Sequence, residues 1–345
     1  MTVRIALVGA GRIGAHHAEL IARHVPGASL AAVVDPRPGV AFALAEPLGT
    51  RAETETASVL EPTDVDAVVI AASSVAHAGL VRAAAEAGKH VFCEKPAGMS
   101  LAEIDAGRKA TAAAGVAFQV GFNRRFAPDF AAAHDAITTG RLGDVRLMRS
   151  LTRDPGSGLA DPGAIPPWTI FTQTLIHDFD TLNWLNPGAR AVDVSATADA
   201  LIAPEFKDAG LLDTAVVVIR YDNGAIATAE ANFAATYGYD VRGEVFGSRG
   251  MVTIGDGSST SMRLHDAAGR LASTARSDTE LLREAYLGEF GEFVAAIEEG
   301  RAPRVGGDEA WAAFAIAEAA IESFRTGGRA EVAVPVTSDG RGASR

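Results

Sequence analysis

Val3-Arg4-Ile5-Ala6-Leu7-Val8-Gly9-Ala10-Gly11-Arg12-Ile13-Gly14 decides how this chain is read. Five of its first six residues are apolar, as in a strand covered on both faces. The glycines follow at G-x-G-x-x-G spacing, and a helical stretch opens at Arg12. The first glycine permits a tight turn, the second lets a pyrophosphate approach the backbone, and the third lets helix and strand pack closely. Gly9, Gly11, Arg12, Ile13 and Gly14 then form a loop whose helix N-terminus presents partial positive charge to phosphates. The next strand, Ser29–Val34, runs into Asp35, roughly 20 residues past Gly14, where a carboxylate receives ribose hydroxyls. A glycine-rich turn that binds nothing is the simpler reading of the loop alone. Strand, glycines, helix and acid together favour a dinucleotide. Asp35 favours NAD, because a carboxylate repels a 2′-phosphate, while Arg37 leaves NADP open.

Outward from this loop, short apolar runs alternate with alanine-rich helical stretches as far as residue 122. The further strands are Ala67–Ala71, His90–Cys93 and Val116–Val120. Helices begin near Ser74 and at Ser100, where Ser100 and Glu103 make a capping-box pattern. Such alternation predicts an N-terminal Rossmann domain over 1–122, an α/β doubly wound parallel sheet.

The pattern changes over 123–336. Helices are expected at Ala127–Gly140, Leu175–Leu185 and Asp308–Arg325, with a Gly/Pro/Asp-rich loop at Asp154–Pro167. Strands are expected at Ala191–Ala196, Ala215–Tyr221, Ala225–Ala234, Val241–Phe246, Met251–Ile254 and Glu331–Val334. Asp222-Asn223-Gly224 and Gly247-Ser248-Arg249-Gly250 supply turns. This half reads as a C-terminal α/β domain with a large open, mainly antiparallel sheet, the substrate-binding and oligomerisation half. Thr337–Arg345 is polar and reads as a disordered tail.

Composition bounds the partners. The 345 residues carry a net charge of −12, which argues against nucleic acid and anionic membrane. No apolar run reaches the roughly 18 residues of a membrane helix, and the N-terminus enters a strand without a signal-peptide pattern. The single cysteine, Cys93, excludes a disulfide framework and points to the cytoplasm.

Glu94-Lys95-Pro96 follows the strand His90–Cys93, at the strand end where ligands bind in parallel sheets. A lysine there can donate to a substrate hydroxyl; by position alone it is equally a surface lysine. With the glycine loop, Val91-Phe92-Cys93-Glu94-Lys95-Pro96 resembles the Gfo/Idh/MocA family of oxidoreductases. Gln119-Val120-Gly121-Phe122-Asn123-Arg124-Arg125-Phe126 resembles the family's link between domains. Thr174-Leu175-Ile176-His177-Asp178-Phe179-Asp180 resembles its catalytic helix, and Tyr237-Gly238-Tyr239-Asp240 with Glu244-Val245-Phe246-Gly247 its sheet region. These last matches are most similar to inositol 2-dehydrogenases. The resemblance implies NAD(P), with Glu94 and Lys95 among the residues at the cofactor, homodimers or homotetramers built on the sheet, and catalytic roles for Lys95 and for a histidine at His177. It also implies that the loop with Ser73, followed by His77, passes near the nicotinamide. The chemistry suits the roles: oxidising a secondary alcohol needs a base near neutral pKa and a donor for the developing alkoxide. Alone, His177 would read as a structural histidine.

Three departures sit near the expected pocket. Gln173 stands where many members carry aspartate, Thr152-Arg153-Asp154 where inositol dehydrogenases tend to have His-Arg-Asn, and Asn123 where a methionine is frequent. They imply a related but different cyclic polyol or sugar, with Asn123, Arg124, Thr152, Gln173, Tyr237 and Tyr286 as substrate-side residues. Tyr237, Tyr239 and Tyr286 read equally as packing. No metal is expected: His16-His17 reads as solvated or near the phosphates, and His177-Asp178 with Asp180 lacks zinc-like spacing. Cys93 reads as a small buried hydrophobe. The competing readings are an NAD-assisted glycosidase or lyase that recycles its cofactor, and a nucleotide-sensing regulator without chemistry.

Overall fold

The strand Val3–Val8 (β1) runs into the helix Arg12–Arg23 (α1) in a computed structural model that describes residues 2–61, 63–156 and 165–335. The alternation continues through β2 (Ala28–Val34), α2 (Pro38–Ala45), β3 (Arg51–Glu53), α3 (Ala57–Leu60), β4 (Ala67–Ile70), α4 (Ser74–Glu86), β5 (His90–Cys93), α5 (Leu101–Ala114) and β6 (Phe118–Val120). The 6-stranded sheet is parallel, in the order β3-β2-β1-β4-β5-β6. Strand order reverses between β1 and β4, so a crevice opens beyond their carboxyl ends. Ile5, Leu7, Val68, Val69 and Phe92 are fully buried, because helices cover both faces. The capping box at α5 is formed with one shift. Ser100 Oγ accepts the Glu103 N–H at 3.2 Å, and the Glu103 carboxylate takes the N–H of Met99, not of the cap.

A 3-10 turn at Asn123–Phe126 leads to α6 (Pro128–Thr138) and β7 (Val145–Arg153). A π-helical turn, Ile170–Thr174, precedes α7 (Leu175–Trp184). Then come β8 (Ala191–Asp199), β9 (Thr214–Tyr221), β10 (Ile226–Asn232), β11 (Asp240–Gly247), β12 (Met251–Ile254), β13 (Arg263–Asp266), β14 (Gly269–Ala272), α8 (Asp278–Leu281), α9 (Arg283–Glu299), α10 (Gly307–Thr326) and β15 (Ala330–Glu331). The 7-stranded sheet runs β12-β11-β7-β10-β9-β8-β15, with β7 and β10 parallel and the other neighbours antiparallel. One face is covered by α7 and α10. On β9, Ala215, Val217, Ile219 and Tyr221 are buried, while Val216, Val218 and Arg220 are exposed. From the second half, α9 returns to the first sheet, packing Phe290 and Phe293 against Phe92 at 4.8 and 5.9 Å between ring centroids.

Several expectations need correction. The last strand is Ala330–Glu331, pairing with Val194 and Asp193, not Glu331–Val334. In the β9–β10 turn only Gly224 takes positive φ (88°), so Asn223 does not share the left-handed turn expected of Asn-Gly. Residues 157–164 of the Asp154–Pro167 loop, and the Thr337–Arg345 tail, lie outside the described residues.

Candidate active site

The loop after β1 is fixed by close approach. Gly9 has φ of +101°, and a Cβ there would lie 2.6 Å from the Ala71 carbonyl group at the end of β4. On Gly14 a Cβ would overlap the Gly9 carbonyl oxygen. Gly11 differs: a Cβ there would meet nothing within 4 Å, so this backbone is open to an incoming group. The residues therefore fit a dinucleotide, with packing glycines on either side of an open one. Asp35 ends β2 and accepts N–H groups from Ala10 at 3.0 Å and from the Arg37 backbone at 3.0 Å. The Arg37 guanidinium adds bonds of 2.8 and 3.0 Å. Those Arg37 contacts lead in holding the Asp35 carboxyl down at about 2, against its burial. The crevice acid is ionised, and the arginine expected to leave NADP open is engaged with it.

Lys95 leaves the end of β5, and its peptide to Pro96 is cis. Its Nζ donates to the Gln173 carbonyl at 2.9 Å, tying the strand end to the π-helical turn. Burial lowers the Lys95 pKa, while the carboxylates of Glu94 and Asp278 oppose that. His177, in the first turn of α7, is pushed well below the usual histidine range, first by burial and then by Lys95 and Arg124. An imidazole held neutral near a lysine is a ready proton acceptor. Its Nδ1 is buried without a partner among the described residues.

The link after β6 explains why α7 sits where it does. Arg124 donates to Asp178 at 2.7 Å and to Thr152 Oγ1 at 2.6 Å, and Ser150 and Thr152 donate to the same carboxylate at 2.5 and 2.8 Å. Arg125 grips Asp180 through bonds of 2.9 and 2.6 Å. Asp178 and Asp180 are thus consumed by two arginines that dock α7 and leave His177 to the cavity.

That cavity, about 380 Å³, lies between the two sheets and includes Lys95, His177, Asn123, Gln173, Tyr286 and Ile13 in its wall. Arg12 reaches it from the loop but spans the cleft to Asp278, at 2.8 and 3.1 Å. His77 binds the Pro96 carbonyl at 2.8 Å and the Ala72 carbonyl at 3.1 Å, so it braces the loop after β4, where Ser73 stands at the N-cap position of α4 without a side-chain cap bond. Two expected substrate residues stand elsewhere. Thr152 is enclosed in the Arg124–Asp178 network, because its polar side chain faces the core of the second sheet. Tyr237 is 49% exposed and bonded to Asp240, and Tyr239 lines the cavity in its place. The wall also holds Asp278, whose signal was the Ser277–Glu280 cap pattern that begins α8. His17, expected to be solvated or near the phosphates, is fully buried and bonds Glu94 at 2.6 Å. A larger groove of about 1310 Å³, walled by Arg108, Lys109, Arg301 and Trp311, brings no comparable catalytic set together.

Comparison with known proteins follows the same division of the chain. Residues 3–122 match a family described as an oxidoreductase family with an NAD-binding Rossmann fold, and residues 130–253 match the GFO/IDH/MocA C-terminal domain. An inositol 2-dehydrogenase of Rhizobium meliloti is 38% identical over 330 residues, 94% of this chain and 97% of that one. A scyllo-inositol 2-dehydrogenase (NAD(+)) of Bacillus subtilis is 35% identical, over 94% of this chain and 95% of that one. The crystal structure of scyllo-inositol dehydrogenase from Lactobacillus casei, with bound NAD(H) and scyllo-inositol, superposes with a TM-score of 0.91 at 28% identity, covering 96% of this chain and 99% of that one.

Proposed function

The chain belongs to the Gfo/Idh/MocA family of NAD-binding oxidoreductases, and from that premise we propose that it oxidises one secondary hydroxyl of a cyclic polyol, an inositol or a related sugar, with NAD in preference to NADP. The observation that carries this reading is the meeting of Lys95, His177 and the open Gly11 loop around one cavity at the carboxyl ends of β1 and β5. Bound NAD supplies the hydride acceptor. His177, neutral through burial, takes the hydroxyl proton. Lys95, anchored on the Gln173 carbonyl, donates to the same oxygen and stabilises its developing negative charge. Asn123, Gln173 and Tyr286 meet the remaining hydroxyls. The ionised Asp35 receives the adenosine ribose and repels a 2′-phosphate.

A second copy of the chain covers the outer face of the 7-stranded sheet in this reading. Phe246, Leu147 and Ile226 are neighbours in register across β11, β7 and β10, and all three are exposed, as are Val216 and Val218 on β9. The Arg149–Glu230 ion pair lies beside this apolar row on the same face, and an exposed apolar row flanked by paired charges suits a symmetric interface. The buried, unpaired Cys93 is in keeping with a cytoplasmic enzyme. The test is purified protein with NAD or NADP and a panel of inositols and sugars, followed by reduced-cofactor absorbance. Turnover of at least one cyclic polyol with a higher kcat/KM for NAD is expected; no turnover across the panel, or a preference for NADP, would overturn the assignment.

A further inference from the structure

Behind Lys95 lies a second set of ionisable groups that the proton transfer above leaves unused. His17 of α1, Glu94 at the end of β5 and Glu289 of α9 place one ligand-type atom each within 4.8 Å of one another. His17 and Glu289 are 0% exposed and Glu94 6%. His17 Nε2 and Glu94 Oε1 share a hydrogen bond of 2.6 Å, and the other Glu94 oxygen takes the Lys95 N–H at 3.2 Å. Both carboxyl oxygens of Glu289 and the Nδ1 of His17 have no partner among the described residues. The walls around His17 are aromatic: Phe290, Tyr286 and Phe92 have ring centroids 4.9, 5.5 and 6.1 Å from it.

We propose that Glu289 is held as a neutral carboxylic acid in a closed cluster with His17 and Glu94, so that a single carboxylate, Glu94, faces Lys95 from behind and sustains its ammonium charge. Two carboxylates this close, walled by aromatic rings, cannot both stay charged without a second cation. The imidazole is already directed at Glu94, so the proton that neutralises the pair resides on Glu289. Burial, and then the charge of Glu94, push the Glu289 carboxyl well above its ordinary range. Burial opposes the charge of Glu94, but the His17 hydrogen bond and the nearby positive charge of Lys95 outweigh it and lower its pKa. Every neighbouring element contributes a group: His16 and His17 from α1, Cys93 from β5 with Glu94 and Lys95 just beyond it, His77 from α4, Gln119 from β6, and Tyr286 and Glu289 from α9. Only Glu94 among them lies both in an ion pair inside the cluster and next to Lys95 in sequence. Glu94 is then a positioning residue for Lys95, and Glu289 keeps the local charge at one.

The Lys95 half of this inference rests on the reaction proposed above; the protonation of Glu289 does not. Infrared difference spectroscopy of the free protein at neutral pH, wild type minus Glu289→Gln, tests the latter. The expected result is a protonated-carboxyl C=O band, shifted in D2O, that the variant lacks. In Glu94→Gln the band should titrate at lower pH, because the charge opposing ionisation of Glu289 is gone. The same variant should move the Lys95 limb of the turnover profile to lower pH by about 1–3 units. Should Glu289→Gln fail to fold, 13C-carboxyl labelling of glutamates in the wild type gives the same answer: one signal stays at the protonated-acid position at pH 7. An ionised Glu289 by either method, or a band that Glu94→Gln leaves unmoved, overturns the proposal. A coupled acid band in a protein that turns over no polyol would support the cluster and sink the reaction.

Discussion

At the residue scale, the chemistry turns on keeping one proton acceptor neutral beside a cation. Burial and the positive charges of Lys95 and Arg124 depress the His177 pKa, so the imidazole stays unprotonated well into acid. Oxidation should therefore fall only as pH drops through a value below the ordinary histidine pKa of about 6.5. That limb should be lost, with the rate, in His177→Gln. Gln173 bears on the same group, since its carbonyl holds Lys95 and its side chain lines the cavity four residues before His177. Gln173→Asp adds an anion there and should raise the limb, while shifting the substrate ranking toward myo-inositol. A pH–rate profile and substrate panel that match the parent's would make Gln173 a bystander. At the other end of the cofactor crevice, Asp35 engages Arg37, whose side chain is 65% exposed. Asp35→Ser removes the repelling carboxylate and frees that guanidinium for a 2′-phosphate. The ratio of kcat/KM for NADP to that for NAD should rise at least tenfold; an unchanged ratio would remove Asp35 from cofactor choice.

At the element scale, α7 is placed by the paired arginines of the link after β6. Arg124 and Asp178 are 2% and 0% exposed, so Asp178→Asn leaves a buried guanidinium without its anion. Breaking such a pair costs about 3–5 kcal/mol. The expected outcome is a matching loss in denaturant-measured stability and a fall in kcat, as His177 moves with its helix. Unchanged stability would mean that Ser150 and Thr152 suffice to satisfy Arg124. The same pair shows why part of the fold was illegible. β7 carries Ser150 and Thr152 at core-facing positions to serve Asp178, which erases the apolar alternation that marks a strand. Likewise α9 buries Glu289 and Glu292 among its aromatic residues, hiding its helical stripe. β3 is three residues long with charge at both ends. In contrast, β1, β4 and β5 read directly, because strands covered on both faces are apolar nearly throughout, with only Arg4 and His90 polar among their residues. The Gly9–Gly14 loop was legible from position in that frame, whereas Lys95 by position alone read equally as a surface lysine and, like His177, took its role from the family resemblance. Thr152 and Tyr237 were misplaced because sequence shows neither which face of a strand is core nor which tyrosine of a pair turns inward.

At the scale of the whole molecule, the two sheets meet at the cavity, and the second sheet turns outward a face on which an apolar row lies beside ion pairs. Phe246, Leu147 and Ile226 form a row on that face, with Val216 and Val218 on the adjacent strand. Leu147→Asp should lower the mass measured by sedimentation equilibrium to that of a single chain without unfolding it. An assembly that survives this change would place the interface on another surface. Because the cavity lies between the sheets and not on that face, the dissociated variant should still bind NAD.

The central claim is that Lys95 acts on the substrate oxygen and not on the cofactor. Its most direct test is Lys95→Met, assayed for NAD binding by fluorescence titration and for polyol oxidation by reduced-cofactor absorbance. NAD affinity should stay within a few-fold of the parent, while kcat falls by about 10²–10⁴-fold or more, the usual contribution of a positioned proton-transfer group. A variant that turns over at the parent's rate would contradict the account.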